Sequence, residues 1–381
     1  MALKVARRGG TPPFIVMDVL RAANERQAAG AAVYHLEVGQ PGTAAPGAVL
    51  AAARAALADS RLGYTEALGM PSLRARIARH YAERYGVRIA EERIAVTTGS
   101  SGAFVTAFLA AFDPGDRVAL AAPSYPAYRN ILTALGVEPV ILPASEATRF
   151  QPTVELIAEV LPLDGLIVAS PSNPTGTMLQ PDELKAIAET CARHGIRLVS
   201  DEIYHGISYG RTAATALAAS EDAIVVNSFS KYFSMTGWRI GWMVAPRDLV
   251  RPIECLAQNL YISPPTLSQI AAEAAFDCAV ELDAIVAGYA RNRALLLREL
   301  PRAGFDHLAP ADGAFYLYAD VARLTNDSEA FARRMLLECG VAATPGIDFD
   351  SERGRRFLRF SFSGPEAEIA AAAEALKAWR R

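Results

Sequence analysis

The chain has 381 residues, of which 51% are apolar and 21% are charged, and its formal net charge is −3. This composition is typical of a folded globular protein and excludes an intrinsically disordered chain. The near-neutral balance, with basic residues scattered along the sequence, excludes a general nucleic-acid binder. No apolar stretch is long enough to cross a bilayer, so a membrane protein is not expected either.

The cysteines and histidines argue against disulfide and metal sites. The four cysteines lie far apart and form no Cys-x-x-Cys pair; they are Cys191, Cys255, Cys278 and Cys339. Reduced thiols in a cytoplasmic protein are therefore expected. The five histidines show no His-x-x-x-His spacing, so no metal site is predicted. The short apolar stretch near the N-terminus is interrupted by Asp18, and we expect mature protein there rather than a signal peptide.

The first predicted element is a helix over the alanine-rich segment 48–59. From about residue 94 onward, strand-like apolar runs alternate with helical stretches such as 181–194. The predicted strands lie at 93–99, 117–123, 137–143, 165–170, 195–201, 223–228 and 240–246. Several are unbroken apolar runs, which is expected of strands covered on both faces. The pattern predicts an α/β fold with a mostly parallel sheet.

The character of the sequence changes after about residue 266. Two long helical stretches are followed by strand-like segments at 313–320 and 355–362, with a helix near 327–339 between them. We predict a large domain over 41–270 and a smaller α+β domain made of 1–40 and 271–381. The pattern Ser363-x-x-Glu366 predicts a capping box at the start of the last helix.

Polar residues lie at the carboxyl ends of five of the seven predicted strands. The segments are Gly99-Ser100-Ser101, Ser124-Tyr125, Ser172-Asn173, Asp201 to Tyr204, and Ser228 to Lys231. Each segment alone has an ordinary structural explanation as a turn, a helix cap, core packing or a solvent-exposed lysine. Ligands of open α/β sheets bind outside the carboxyl ends of the strands, so the joint occurrence predicts one site.

The residue types at these strand ends indicate the chemistry. A buried lysine such as Lys231 is costly unless it is paired, neutral or covalently used, and a lysine with a lowered pKa forms Schiff bases with carbonyl groups. A carboxylate such as Asp201 could keep a pyridine nitrogen protonated. A helix N-terminus with hydroxyls and an arginine would bind a phosphate, and Tyr125 could stack on a planar ring. Together these groups describe a pocket for pyridoxal 5′-phosphate.

Three motifs carry a family resemblance: PSNPTG at 171–176, SDEIY at 200–204 and SFSKYFSMTGWRIGW at 228–242. With these motifs in register, the sequence resembles the fold-type I, pyridoxal-phosphate-dependent aminotransferases of class I and II, of the aspartate aminotransferase type. The matching motifs run from about residue 34 to 362. The resemblance implies a seven-stranded, mostly parallel sheet in a large domain with a smaller α+β domain. It also implies ping-pong exchange of an amino group between an L-amino acid and a 2-oxo acid.

The resemblance implies roles for the residues around the cofactor ring. Lys231 would bind the cofactor covalently and then act as the base that moves a proton at the substrate α-carbon. Asp201 would pair with the pyridinium nitrogen. Tyr204 and Asn173 would hydrogen-bond the phenolic oxygen of the ring, and Tyr125, where many relatives have tryptophan or phenylalanine, would stack on its face.

The resemblance also implies groups for the phosphate and for the substrate. The phosphate ligands would be Ser100, Ser101, Ser228, Ser230 and Arg239. Tyr64 would reach the phosphate of a neighbouring subunit, and the segment 259–269 would lean toward that subunit, so a homodimer is expected. Arg359 would bind the substrate α-carboxylate in a bidentate way beside the backbone of Gly39, and Tyr125 and Asn173 would also contact the substrate. The bonds Ala122–Pro123 and Asn173–Pro174 are expected to be cis.

Other functions remain open on the motifs alone. A lyase that cleaves a C–S bond in a cystathionine-like substrate would share Lys231, Asp201 and Arg359. A transcription regulator of the same fold would carry a DNA-binding domain before it, and the motif LEVGQP at 36–41 leaves no room for one.

The substrate side chain is also undetermined by the motifs. No second cation for a side-chain carboxylate can be assigned, because Arg26 and Arg129 have no predicted position. The apolar segment 14–17 would suit either an apolar substrate or helix packing.

Overall fold

The computed structural model describes residues 3–59 and 61–380. Its strands are β1 (Tyr34–His35), β2 (Ile94–Thr97), β3 (Arg117–Ala122), β4 (Glu138–Pro143), β5 (Gly165–Ala169), β6 (Arg197–Asp201), β7 (Ile224–Ser228), β8 (Gly241–Val244), β9 (His307–Leu308), β10 (Tyr316–Asp320), β11 (Val341–Ala342), β12 (Thr344–Pro345) and β13 (Phe357–Ser361). Its α-helices are α1 (Ile15–Ala28), α2 (Gly47–Asp59), α3 (Pro71–Tyr85), α4 (Gly99–Ala111), α5 (Ala127–Leu135), α6 (Val154–Ala158), α7 (Pro181–His194), α8 (Arg247–Leu260), α9 (Thr266–Ala275), α10 (Ala279–Arg302), α11 (Ser328–Cys339) and α12 (Glu366–Ala378).

Seven strands form the large sheet, in the spatial order β2-β8-β7-β6-β5-β3-β4. The neighbours from β7 to β4 are parallel, and β8 runs antiparallel to both β2 and β7. Adjacent residues of one strand belong to different apolar clusters: Leu198 and Val225 lie in one cluster, Val199 and Val226 in the other. Side chains alternate across a strand, so both faces of the sheet are packed. The predicted α/β fold with a mostly parallel sheet is confirmed.

The register of the central strands brings the predicted polar segments to one edge. Ala169 at the end of β5 pairs with Asp201 at the end of β6, and Asp201 pairs with Val226 in β7. Ser228, the last residue of β7, pairs with Gly241. Because these strands end almost level, the loops that follow them face the same space.

A second group of strands lies outside the large sheet. Strands β12, β13, β10 and β9 form a four-stranded antiparallel sheet in that order. The short strand β1 pairs in parallel with β11, where Tyr34 faces Val341 and His35 faces Ala342. This pairing ties the N-terminal segment to the C-terminal part of the chain.

The capping box expected at the last helix is wrong. Helix α12 begins at Glu366 after Pro365, which lacks a hydroxyl, and no side chain caps it at that position. The Ser363 hydroxyl instead donates to the carbonyl of Gln40 and lies 3.0 Å from Ser361 Oγ. The Ser363 hydroxyl, which the local pattern assigned to the helix, therefore bonds to a distant segment of the chain.

Two X-Pro peptide bonds were predicted to be cis, and no membrane-spanning segment was predicted. The bonds Ala122–Pro123 and Asn173–Pro174 are both cis, as predicted, and Leu161–Pro162 and Ser170–Pro171 are cis as well. Within the described part of the chain, no helix combines the length and apolar character needed to span a membrane.

Candidate active site

A cleft opens at the carboxyl edge of the large sheet, between that sheet and the smaller one. All but two of the residues predicted for the site line it: Gly39, Ser100, Ser101, Tyr125, Asn173, Asp201, Tyr204, Ser230, Lys231, Arg239 and Arg359. The two exceptions are Ser228 and Tyr64. The strand ends that carried the prediction therefore do meet in one place.

Lys231 lies in the loop after β7 and extends into the cleft. Its Nζ donates a hydrogen bond of 2.6 Å to the carbonyl of Gly39. Burial, followed by the nearby positive charges of Arg359 and Arg239, lowers the pKa of Lys231 to about 8, against the opposing effect of Asp201. This lysine is therefore poised to lose its proton near neutral pH, which a nucleophilic or basic amine requires.

Asp201, the last residue of β6, also lines the cleft and is 5% exposed. Its carboxylate accepts hydrogen bonds from the Tyr128 hydroxyl and from the backbone N–H of Ile203, the latter at 3.0 Å. Burial raises the pKa of Asp201 to about 6, and the two hydrogen bonds and Lys231 oppose the rise. At pH 7 it is a desolvated carboxylate with room for a cationic partner.

The N-terminus of α4 and Arg239 form a site suited to an anion. Gly99, with φ of +74°, begins the helix, and Ser100 and Ser101 occupy its first turn. The left-handed φ of Gly99 favours glycine, and a Cβ atom there would lie 2.6 Å from an Arg239 terminal nitrogen, so glycine lets the guanidinium approach the helix start. Backbone N–H groups, hydroxyls and a guanidinium together match a phosphate dianion.

The two neighbouring serines differ in their exposure to this site. Ser230 lines the cleft, whereas Ser228 lies behind it, with its hydroxyl 2.9 Å from Ser230 Oγ and 3.1 Å from the carbonyl of Ile240. Ser228 is therefore placed to support Ser230.

Arg359, on β13, lies at the far end of the cleft and is only 3% exposed. Its guanidinium donates to Asn173 Oδ1 at 2.8 Å, to Thr344 Oγ1 at 3.1 Å and to the carbonyl of Glu37. It also packs over the Tyr316 ring, 4.4 Å from the ring centre. These contacts hold the arginine in one orientation, which favours two-pronged recognition of a carboxylate.

Two tyrosines and a glycine complete this end. The hydroxyls of Tyr204 and Tyr316 are 2.7 Å apart, and burial raises the pKa of both, so they are neutral hydrogen-bonding groups. A Cβ atom on Gly39 would collide with the Tyr316 hydroxyl, so only glycine fits there.

The opening of the cleft is apolar. Phe14, Val16 and Met17, in and just before the first turn of α1, line it. The Phe14 ring centre is 5.7 Å from that of Tyr125. The segment that could have been helix packing alone is therefore a wall of the cleft.

Several residues that line or support this site were not identified from the sequence. Tyr128 follows Tyr125 by three residues, a spacing at which both rings can face the same region, and their centres are 5.4 Å apart. Tyr316 and Thr344 gave no signal because both read as ordinary strand residues. Tyr64 is 82% exposed and lies away from the cleft of its own chain.

The residues present fit pyridoxal 5′-phosphate. The carboxylate of Asp201, the amine of Lys231 and the ring of Tyr125 surround a space that the anion site at Gly99 closes at one end. Among the described residues, no group of three or more histidine, cysteine or acidic side chains could hold a metal ion.

Comparison with known proteins agrees with this geometry. The family model for aminotransferase class I and II matches residues 31–376. A valine–pyruvate aminotransferase of Mycobacterium tuberculosis is 52% identical over 384 residues, covering 100% of this chain and 99% of the relative. A crystal structure of an aminotransferase from the same organism has a TM-score of 0.97 at 52% identity, covering 99% of both chains.

A more distant solved structure has the same fold. The aspartate aminotransferase of Thermus thermophilus with maleate has a TM-score of 0.93 at 30% identity, covering 99% of both chains. All three of these relatives are named as aminotransferases, which favours transamination over the lyase alternative. This chain belongs to the aminotransferase class I and II family and is a pyridoxal-phosphate-dependent aminotransferase.

Proposed function

We propose that the enzyme exchanges the amino group of a small aliphatic L-amino acid, valine foremost, with a 2-oxo acid such as pyruvate. The observation that carries this proposal is the distribution of cations in the cleft. Among the described residues that line it, the cations are Lys231, Arg239 and Arg359. Each has a task in the reaction, so these residues leave no free cation for a second carboxylate on the substrate.

Two of these cations, Arg239 and Arg359, lie at opposite ends of the cleft. Arg239 lies at the anion site of α4, and Arg359 lies at the opposite end beside Asn173. The remaining opening is lined by Phe14, Val16 and Met17. An aliphatic side chain gains free energy on such a wall, whereas an unpaired carboxylate would be desolvated at a cost.

The name of the valine–pyruvate aminotransferase supports the same substrates, since that relative covers the whole of this chain. Valine has a branched side chain of three carbon atoms that suits an apolar wall. Alanine, the amino acid formed from pyruvate, has one methyl group and needs no further pocket.

The proposed roles follow from the positions of the side chains. When bound, pyridoxal 5′-phosphate supplies an aldehyde that bonds to amines and a ring that withdraws electrons. The pKa of Lys231, lowered to about 8, lets the amine give up its proton near neutral pH. The neutral amine would remove the proton from the α-carbon of the amino-acid substrate and, in the second half of the exchange, would deliver a proton to the α-carbon of the oxo acid. Arg359 binds the α-carboxylate and thereby presents the α-carbon to that amine.

The other polar groups orient the cofactor. Asp201 would pair with the ring nitrogen, Tyr125 would stack on the ring, and Tyr204 and Asn173 would hydrogen-bond its phenolic oxygen. Asn173 Oδ1 already accepts from Arg359, so the amide N–H groups are the ones available. The proposed phosphate ligands are Ser100, Ser101, Ser230 and Arg239, with Ser228 supporting Ser230.

We also propose a homodimer in which Tyr64 reaches the phosphate of the other subunit. An exposed fraction of 82% for a tyrosine in this loop supports a partner surface there. The proposed large domain comprises residues 41–270, and the small domain comprises 1–40 and 271–381. Four cysteines without a disulfide support a cytoplasmic location.

A half-reaction screen tests the substrate proposal. Each amino acid is mixed with the holoenzyme in the absence of oxo acid, and the absorbance of the lysine-bound cofactor is followed. L-valine and other aliphatic amino acids should remove this absorbance faster than L-aspartate and L-glutamate. A faster response to either acidic amino acid would overturn the assigned substrate class.

Sedimentation velocity and cofactor titration test the dimer. A single species of twice the chain mass is expected, and Tyr64→Phe should weaken pyridoxal-phosphate binding by about threefold to tenfold through loss of one hydrogen bond. Leu337→Ala, at an exposed residue of α11 outside both the cleft lining and the segment 259–269, is the control and should leave cofactor binding unchanged. An active monomer would contradict the proposal.

A further inference from the structure

The N-terminus of α1 is capped by a carboxylate from the other end of the chain. The backbone N–H of Ile15 donates to Asp348 Oδ1 at 3.1 Å, and that of Val16 donates to Asp348 Oδ2 at 3.2 Å. The residue at the N-cap position of this helix is Phe14, which has no side chain capable of capping. The first turn of α1 therefore depends on Asp348 for two of its free donors.

Asp348 is itself fixed in place. It is 2% exposed, and its backbone carbonyl accepts a hydrogen bond of 2.9 Å from Arg129. A buried carboxylate at a helix N-terminus is also favoured by the helix dipole. The contact is thus a rigid one between α1 and the segment that leads into β13.

The capped turn is the same turn that forms the apolar wall. Phe14, Val16 and Met17 line the cleft, and Ile15 and Val16 are the residues whose N–H groups Asp348 binds. A shift of this turn would move all three side chains together. Asp348 itself does not line the cleft, so it affects a substrate side chain through α1. Its charge also interacts with that of Arg359, and comparing two substrates with the same α-carboxylate cancels this contribution.

We propose that Asp348 is a positioning residue that sets substrate selectivity by holding the first turn of α1 against the cleft. This inference rests on the proposed aliphatic substrate. The wall formed by Phe14, Val16 and Met17 would contact the branched side chain of valine more than the single methyl group of alanine. Loss of the cap should therefore reduce the reaction with valine more than the reaction with alanine.

Asp348→Asn tests this inference by removing the charge and one of the two acceptor oxygens. The measurement is the ratio of kcat/KM for L-valine to that for L-alanine, each from half-reactions of the holoenzyme. We expect the ratio to fall about fivefold to tenfold, within the range that one or two apolar contacts supply. An unchanged ratio would overturn the inference.

Asp350→Asn is the matched control. Asp350 lies two residues further along the same segment, is 4% exposed, and accepts from Arg353 Nε at 2.9 Å without contacting α1. The ratio should stay within about twofold of the unmodified enzyme, since a wall that does not move loses no apolar contact. An equal fall in both variants would mean general disturbance and would overturn the inference.

A second pair of variants tests the same contact from the donor side. Ile15→Pro removes the backbone N–H that Asp348 accepts from, and Ile15→Ala keeps it. Ile15 is the first residue of α1, a position where proline is tolerated because its N–H has no partner within the helix. Ile15→Pro should lower the ratio by about threefold, and Ile15→Ala, which keeps the N–H, should not. This pair decides the question if Asp348→Asn fails to fold, and equal ratios in the two variants would overturn the inference.

The same measurements distinguish a wrong role for Asp348 from a wrong substrate class. If the unmodified enzyme gives no half-reaction with L-valine, the proposed substrate class is wrong. If it reacts with L-valine and the variants keep the unmodified ratio, only the role of Asp348 is wrong.

Discussion

The two sides of the cleft are built in different ways. On the sheet side, Asp201 and Lys231 follow neighbouring parallel strands whose register brings their ends together. On the opposite side, Arg359 and the first turn of α1 come from distant parts of the chain and are held by contacts such as Asp348 to Ile15.

This contrast indicates where each property of the enzyme is encoded. The sheet side depends on backbone pairing, which is insensitive to most single side chains. The opposite side depends on a few buried hydrogen bonds between segments more than 300 residues apart. We therefore expect chemistry to be lost mainly by changes on the sheet side and substrate preference by changes on the other.

The largest effect is expected at Lys231, on the sheet side. Lys231→Ala should lower transamination by at least about 10³-fold, because both the covalent bond to the cofactor and proton transfer are lost. Turnover with valine and pyruvate measures it, and spectroscopy checks that cofactor is still bound. Lys185→Ala, on a side chain that is 67% exposed in α7, is the control and should be unaffected. Near-normal activity of Lys231→Ala would remove the basis for its assigned role.

Arg359 tests the opposite side. Arg359→Lys should lower kcat/KM about 10²-fold, chiefly through KM, because an ammonium group cannot replace the two-pronged contact or the bonds to Asn173 and Glu37. Arg356→Lys, at an arginine paired with Asp320 outside the cleft, is the control. A change of less than about threefold in kcat/KM would show that another group binds the carboxylate.

A smaller effect is expected at Tyr128, which donates to Asp201. Tyr128→Phe removes a hydrogen bond that favours the carboxylate, so the pKa of Asp201 should rise further above its value of about 6. Cofactor affinity of the apoenzyme should fall as the pH drops through that pKa, and the variant should show this fall at higher pH. At neutral pH we expect about a threefold to tenfold loss of affinity. Tyr209→Phe, whose hydroxyl binds the carbonyl of Ala314, is the control, and identical pH profiles would contradict the role of Tyr128.

The smallest effect on activity is expected at Glu202, which supports the sheet side without lining the cleft. Burial raises the pKa of Glu202 from 4.5 to about 8. The protonated Glu202 side chain is therefore kept more readily in the folded state than in the unfolded chain. This contribution to the free energy of unfolding is complete below pH 4.5 and is lost as the pH rises through 8.

Glu202→Gln should remove this pH dependence, because the amide resembles the protonated acid. Urea unfolding of the apoenzyme between pH 5 and 8 should show a flatter profile and a gain of up to about 5 kcal/mol at pH 8, while activity stays within about twofold. Glu189→Gln, on a side chain that is 62% exposed, should leave the profile unchanged. If the free energy of unfolding of Glu202→Gln changed with pH in the same way as that of the unmodified enzyme, this carboxyl would be ionised in the folded state.

Much of the fold was predictable where local signals agree with tertiary structure. Helix α7 was predicted at 181–194 and lies at Pro181–His194, because proline starts it, Gln180 and Glu183 cap it and Gly195 ends it. The same reasoning failed at Ser363, whose hydroxyl is bound by Gln40. A capping pattern indicates what a side chain can do locally and does not reveal a stronger partner elsewhere.

Local sequence patterns were enough to establish the α/β order of elements, the strand ends that meet in the cleft, and a residue set whose joint spacing indicates pyridoxal phosphate. These features follow from periodicity and from the geometry of parallel sheets, which act over short distances along the chain. The folded chain was needed to show that Tyr128 supports Asp201, that Tyr316 orients Arg359, and that Asp348 caps α1. The physical reason is that each of these contacts joins groups whose sequence surroundings are ordinary and that lie far apart along the chain, so only tertiary packing brings them within contact distance.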